Sequence, residues 1–136
     1  MKKIILALAA AAVVIFSGCS KRTGGVETAR RTVLVYMAAR NSLSDEAYAN
    51  LSGMAQGYKD AGVSDSDNLI VYFDAIGENP KLVRVDSRGV HTLKTYPQRN
   101  SCTPEALAGV IGETLAMFPA LDYGLVLWSH GTGWAP

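Results

Sequence analysis

Tyr123-Gly124-Leu125-Val126-Leu127-Trp128-Ser129-His130-Gly131-Thr132-Gly133-Trp134 decides how this chain reads. The stretch opens as an apolar run without polar alternation, which is the pattern of a strand buried on both faces. It then breaks into a loop that holds a histidine between small and flexible residues. Two runs of the same kind lie upstream, Thr32-Val33-Leu34-Val35-Tyr36-Met37-Ala38 and Asn68-Leu69-Ile70-Val71-Tyr72-Phe73. Between them Tyr48, Leu51, Met54, Ala55 and Tyr58 recur at helical spacing. Ser42 with Asp45 three residues on suits the start of that helix, and Gly62 its stop. Ahead of the third run, Thr103 and Pro104 suit the cap and first turn of a second helix. Leu107, Val110, Ile111, Leu115 and Phe118 form its expected buried face, and Pro119 ends it. Leu82–Val85 and Val90–Lys94 alternate apolar and polar around Ser87-Arg88-Gly89, so a hairpin with one wet face is expected. Strands alternating with helices predict an α/β domain with a mainly parallel sheet.

Parallel sheets place their sites beyond the carboxyl ends of the strands. Three loops therefore compete: Ala39–Ser42, Asp74–Gly77 and Ser129–Trp134. His130 is the leading candidate, because a histidine at such an edge titrates near neutrality and serves as general acid or base. Gly131 and Gly133 let backbone amides approach a ligand closely. Asp74 ends a strand on the same edge and is a candidate to orient a base or meet a cationic substrate, although such aspartates more often close a turn. Asn41 and Ser42 share that ambiguity. Trp128 and Trp134 suit a pocket wall or a core equally. Cys102 precedes the second helix, where amides lower a thiol pKa, so a Cys102–His130 dyad is geometrically allowed. A plain loop cysteine is the simpler reading. His91 falls mid-hairpin and reads as solvated.

Composition bounds the rest. The 136 residues allow one domain at most. With 13 Lys+Arg against 12 Asp+Glu the net charge is +1, and no basic stripe marks a nucleic-acid partner. Two cysteines make neither a disulfide scaffold nor a structural zinc site. No metal-binding motif is present. Lys2 and Lys3 precede an unbroken apolar run, Ile4–Phe16. That run is shorter than the roughly 20 residues a spanning helix needs, so it reads as a secretory signal. It ends in Phe16-Ser17-Gly18-Cys19-Ser20, which resembles the lipobox of bacterial lipoproteins, with Phe16 where leucine is usual. The resemblance implies a lipid on Cys19, a membrane partner through that lipid, and a place in the bacterial cell envelope outside the cytoplasm. The chain then divides into a signal (1–18), a polar tether (19–31) and a folded part (32–136).

The first strand, the strand ending at Asp74 and above all Leu125–Trp134 resemble the clostripain family of cysteine peptidases, in the caspase-like group. The Trp128-Ser129-His130-Gly131-x-Gly133-Trp134 block is the specific part. The resemblance implies a partial caspase-like sandwich, incomplete at the C-terminus, acting on peptide or protein substrates. It implies that His130 is the catalytic histidine, that Gly131 lends an oxyanion amide, and that calcium and a preference for basic residues are open to inheritance. It also implies a catalytic cysteine one strand beyond His130. Six residues follow His130 and none is cysteine, so the chain reads as the histidine-bearing part of a longer peptidase, without activity by itself. Two other readings compete. His130-Gly131-Thr132-Gly133 also resembles the oxyanion loop of α/β-hydrolases. A non-catalytic, peptide-binding lipoprotein is the third.

Overall fold

The computed structural model describes residues 28–62 and 66–131. In chain order they form β1 (Ala29–Ala39), α1 (Ser44–Asp60), β2 (Asp67–Ala75), β3 (Lys81–Asp86), β4 (Gly89–Thr95), α2 (Pro104–Met117) and β5 (Ala120–Ser129). The strands make a single sheet in the order β4-β3-β2-β1-β5. β1 is its hub, parallel to β2 on one side and to β5 on the other. β3 and β4 add the expected hairpin, antiparallel to β2 and to each other. Gly89 closes that hairpin at φ +123°, a region side chains rarely tolerate. The result is a mixed sheet with a parallel centre.

The missing polar alternation in β1 and β2 has a direct cause, since helices cover both faces of these strands. Val35, Met37, Val71 and Phe73 pack with Ala47 and Leu51 of α1 on one face. Leu34, Tyr36, Ile70 and Tyr72 pack with Val110 of α2 on the other. Burying each such side chain contributes about 1.5–3 kcal/mol, so the cores beside β1 and β2 hold the sheet together.

Several expectations shift. α1 begins at Ser44 rather than near Ser42, and Leu43 stands at its cap without a side-chain hydrogen bond. The Ser44 hydroxyl instead donates to the Ala39 carbonyl at 2.8 Å and accepts from the Ile76 amide at 2.7 Å. It ties the ends of β1 and β2 together. Asn41 accepts the Leu43 amide at 2.9 Å. α2 is capped as expected, with Thr103 Oγ1 accepting from the Ala106 amide at 3.2 Å and Pro104 in the first turn. Val110 is buried with Ala106 and Thr114, and Leu107, Ile111 and Phe118 pack against the same core as expected, whereas Leu115 is exposed. The helix lies over β1 and leaves β5 largely bare.

β5 is the largest departure. Its sequence predicts burial on both faces, yet it is an edge strand whose Leu121 and Leu127 are 78% and 65% exposed. At the other end of the chain, β1 starts at Ala29, inside the stretch read as tether. The wet face of the hairpin belongs to β4 alone, because β3 buries Leu82, Val83 and Val85. No helix among the described residues is long and apolar enough to cross a membrane.

The hairpin also carries a pH signature. Burial opposes ionisation of the Asp86 carboxyl, but hydrogen bonds from the Arg88 side chain and backbone and from His91 outweigh it and hold its pKa down to about 2. His91 is thus half-exposed and tethered through Nε2 at 3.0 Å, not simply solvated. A carboxyl whose pKa is lowered on folding adds stability above its unfolded value and loses it on protonation. Urea midpoints should therefore fall as pH drops from about 4 toward about 2, and less steeply in His91→Ala. Equal slopes in both proteins would assign the acid sensitivity to other groups.

Candidate active site

Because β1, β2 and β5 are parallel, their carboxyl ends lie along one edge of the sheet. That edge brings together Arg40, Asp74 and His130, each at or just past a strand end. The preamble of α2 reaches the same edge. An open cleft of about 540 Å³ runs between Ser101, Cys102 and Leu107 on one side and Leu127, Trp128 and Ser129 on the other. The Ser129 hydroxyl donates to the Ala38 carbonyl at 2.8 Å. This bond fixes the end of β5 against β1 immediately before His130, which is exposed at the mouth. Gly131 follows, also exposed. Gly133, Trp134 and Cys19 lie outside the described residues.

Asp74 sits at the expected edge but does not offer a free carboxylate. It is 2% exposed. Arg40 donates to Oδ1 through Nε at 2.9 Å, with Nη2 at 2.7 Å, and Ser101 donates to Oδ2 at 2.5 Å. A substrate cation would have to displace Arg40 to reach it. The direction of the remaining bonds follows from counting protons. Ser101 has one hydroxyl hydrogen and gives it to Asp74, so the 2.8 Å contact between Tyr72 and Ser101 is donated by Tyr72. Arg99 Nε in turn donates to the Tyr72 oxygen at 3.0 Å. A directed chain therefore runs from Arg99 through Tyr72 and Ser101 to Asp74, each donor polarised by the next.

Tyrosines complete this cluster. Tyr36 stacks on Tyr72 with ring centroids 4.5 Å apart and donates to the Ser101 carbonyl at 2.8 Å. Burial is the main cause that pushes its phenol up to about 12. The Arg99 guanidinium lies 4.1 Å from the Tyr96 centroid and 5.1 Å from that of Tyr72. Burial and the Tyr96–Glu113 hydrogen bond raise the Tyr96 phenol as well. The cluster is a rigid buttress under the loop that precedes α2. Sequence reading missed Arg40, Tyr72, Arg99 and Ser101 as partners of Asp74. Only the Arg40 position, directly after an apolar run, carried a usable signal.

Cys102 is a free, exposed thiol on the cleft wall, its amide bound to the Asn100 side chain at 2.9 Å. Among the described residues no group of three His, Cys, Asp or Glu side chains converges as a metal site.

A mixed sheet with a parallel centre, covered by helices and carrying His-Gly at its carboxyl edge, matches the caspase-like class of α/β proteins. Residues 35–136 match the clostripain family, and the chain belongs to that family. Solved structures agree. A cysteine protease of B. fragilis is 39% identical with TM-score 0.70, and the match spans 79% of this chain and 93% of that one. An inactive zymogen C11 protease from Parabacteroides distasonis is 40% identical with TM-score 0.72, over 81% of this chain and 33% of that one. A secreted C11 cysteine protease from Bacteroides thetaiotaomicron, solved with an irreversible peptide inhibitor, is 42% identical with TM-score 0.69, over 79% and 31%. The chain thus spans nearly all of the first solved chain and about a third of the other two. No curated protein sequence matches it. Family membership sets the α/β-hydrolase reading of His130–Gly133 aside.

Proposed function

We propose that this chain is the histidine-bearing section of a clostripain-like cysteine endopeptidase. One observation carries the reading: within the family match, β5 delivers Ser129-His130-Gly131 to the edge where three parallel strands end. In this mechanism a thiolate from outside the chain attacks the scissile carbonyl. His130 receives the thiol proton and delivers it to the leaving amine. The Gly131 amide stabilises the oxyanion. The peptide inhibitor bound to one relative supports peptides as the substrate class.

The exposed Cys102 thiol is not the nucleophile in this reading. The 136-residue chain alone should leave fluorogenic peptides with arginine or lysine before the scissile bond uncleaved. Hydrolysis by the chain alone, lost in both His130→Ala and Cys102→Ala, would establish the alternative dyad. Tight peptide binding without turnover in any assembled state would favour the non-catalytic reading.

The same proposal places the protein in the bacterial envelope, outside the cytoplasm, tethered through lipid on Cys19. Two relatives described as secreted support the compartment. Radiolabelled palmitate should enter the wild-type protein and be absent from Cys19→Ala. Equal incorporation in both contradicts the lipid site.

A further inference from the structure

We infer that the hollow between Arg40 and Arg99, beside the cleft, is an anion subsite that takes the carboxylate of an acidic residue in the peptide substrate. This rests on the peptidase reading above. The hollow measures about 250 Å³, and Arg40, Asp74, Arg99 and Asn100 stand in its wall. It shares Ala38, Ser101 and Cys102 with the cleft that ends at His130. A peptide lying in the cleft therefore meets the hollow directly. Two guanidinium groups and one carboxylate border it, and the carboxylate is already spent. Asp74 is buried and accepts from Arg40 and Ser101. One positive charge is left over, that of Arg99.

Arg99 is held in place with most of its donors unused. Its guanidinium lies over the Tyr96 ring at 4.1 Å and the Tyr72 ring at 5.1 Å, contacts that pin a cation without consuming its N–H groups. Among the described residues only Nε makes a hydrogen bond, to the Tyr72 oxygen at 3.0 Å. Nη2 is covered from solvent and has no partner, whereas covered donors in folded proteins ordinarily find one. No carboxylate of the described residues forms an ion pair with Arg99. Glu105 borders a neighbouring recess and stays apart from it. A carboxylate matches the unused donors in charge and in fork geometry. A cationic residue at the same place would be repelled by both arginines. Within a peptide, the side chains that bring such a group are Asp and Glu.

The test reads binding and turnover separately. Paired peptides differ only by Glu or Gln, at each position flanking the scissile bond in turn. Alkylation of Cys102 in the 136-residue chain by iodoacetamide is followed by mass spectrometry of the fragment that carries it. At one position or more, the Glu peptide should halve the rate at about one-tenth of the concentration that the Gln peptide needs, the size expected of one charged hydrogen-bonded contact. Arg99→Met should erase this difference. Arg99→Lys, which keeps the charge and loses the fork, should leave part of it. Lys59→Met, which removes an exposed charge on α1, should leave it whole. In the assembled peptidase, kcat/KM should favour the Glu peptide by a similar factor, through KM. Equal protection by both peptides at every position overturns the inference. So does a Glu advantage unchanged in both Arg99 variants, or inorganic phosphate that shields Cys102 as well as the Glu peptide does, because the hollow then takes free anions. If the Glu peptide protects Cys102 and neither peptide is cleaved, the peptidase reading alone fails and the subsite stands.

Discussion

Asp74→Ala is expected to destabilise the folded chain by about 3 kcal/mol, the lower end of the ~3–5 kcal/mol cost of breaking a buried ion pair. The carboxylate is nearly inaccessible, and removing it strands two donors, Arg40 Nε and the Ser101 hydroxyl, while Arg40 Nη2 loses its ion-pair partner and keeps the Glu78 carbonyl at 2.6 Å. The Arg40 side chain is 33% exposed and swings partly into water, which keeps the loss from the upper end. Ser101 and Tyr72 have no such escape, because both are buried. Asp74→Asn keeps an acceptor and the shape while losing the charge, so roughly half the loss is expected. Urea unfolding of the three proteins checks the order. A loss below about 1 kcal/mol in Asp74→Ala would show that water replaces the carboxylate, and that the buttress under the α2 loop is not held by it.

His130→Ala carries the largest functional effect. In the assembled peptidase it should lower kcat/KM by about 10²- to 10⁴-fold, the usual share of a positioned acid–base group. Stability should move by no more than about 0.5 kcal/mol, because His130 is exposed at the end of β5. The separation of these two readouts distinguishes a chemical role from a structural one. The Ser129 hydroxyl bond to Ala38 belongs to the same expectation, because it sets the direction in which β5 presents His130.

Much of the fold was legible because its determinants are local. The unbroken apolar runs marked β1 and β2, Thr103-Pro104 marked the start of α2, and Ser87–Gly89 marked the hairpin. The family resemblance rested on a contiguous block around His130, and the match over residues 35–136 bears it out. What escaped is non-local. The partners of Asp74 come from the end of β1, from β2 and from the loop before α2, up to 34 residues away in sequence. No period or motif links them. Ser44 opens α1 and serves as a clamp between strand ends, because its hydroxyl meets two backbone groups that folding alone brings together. β5 misled in a different way. Its apolar pattern predicts a central strand, yet it lies at the edge of the sheet, and among the described residues nothing covers its outer side.

The chain contains two histidines, so the role of His130 is tested directly against that of His91. The measurement is kcat/KM for a fluorogenic peptide by the complex of this chain with the complementary peptidase section, prepared with His130→Ala or with His91→Ala. His91→Ala, which only loosens a hairpin contact to Asp86, is expected to retain near wild-type turnover, whereas His130→Ala should lose at least about 100-fold with the complex intact. Undiminished hydrolysis by His130→Ala would contradict the assignment of this chain as the bearer of the catalytic histidine.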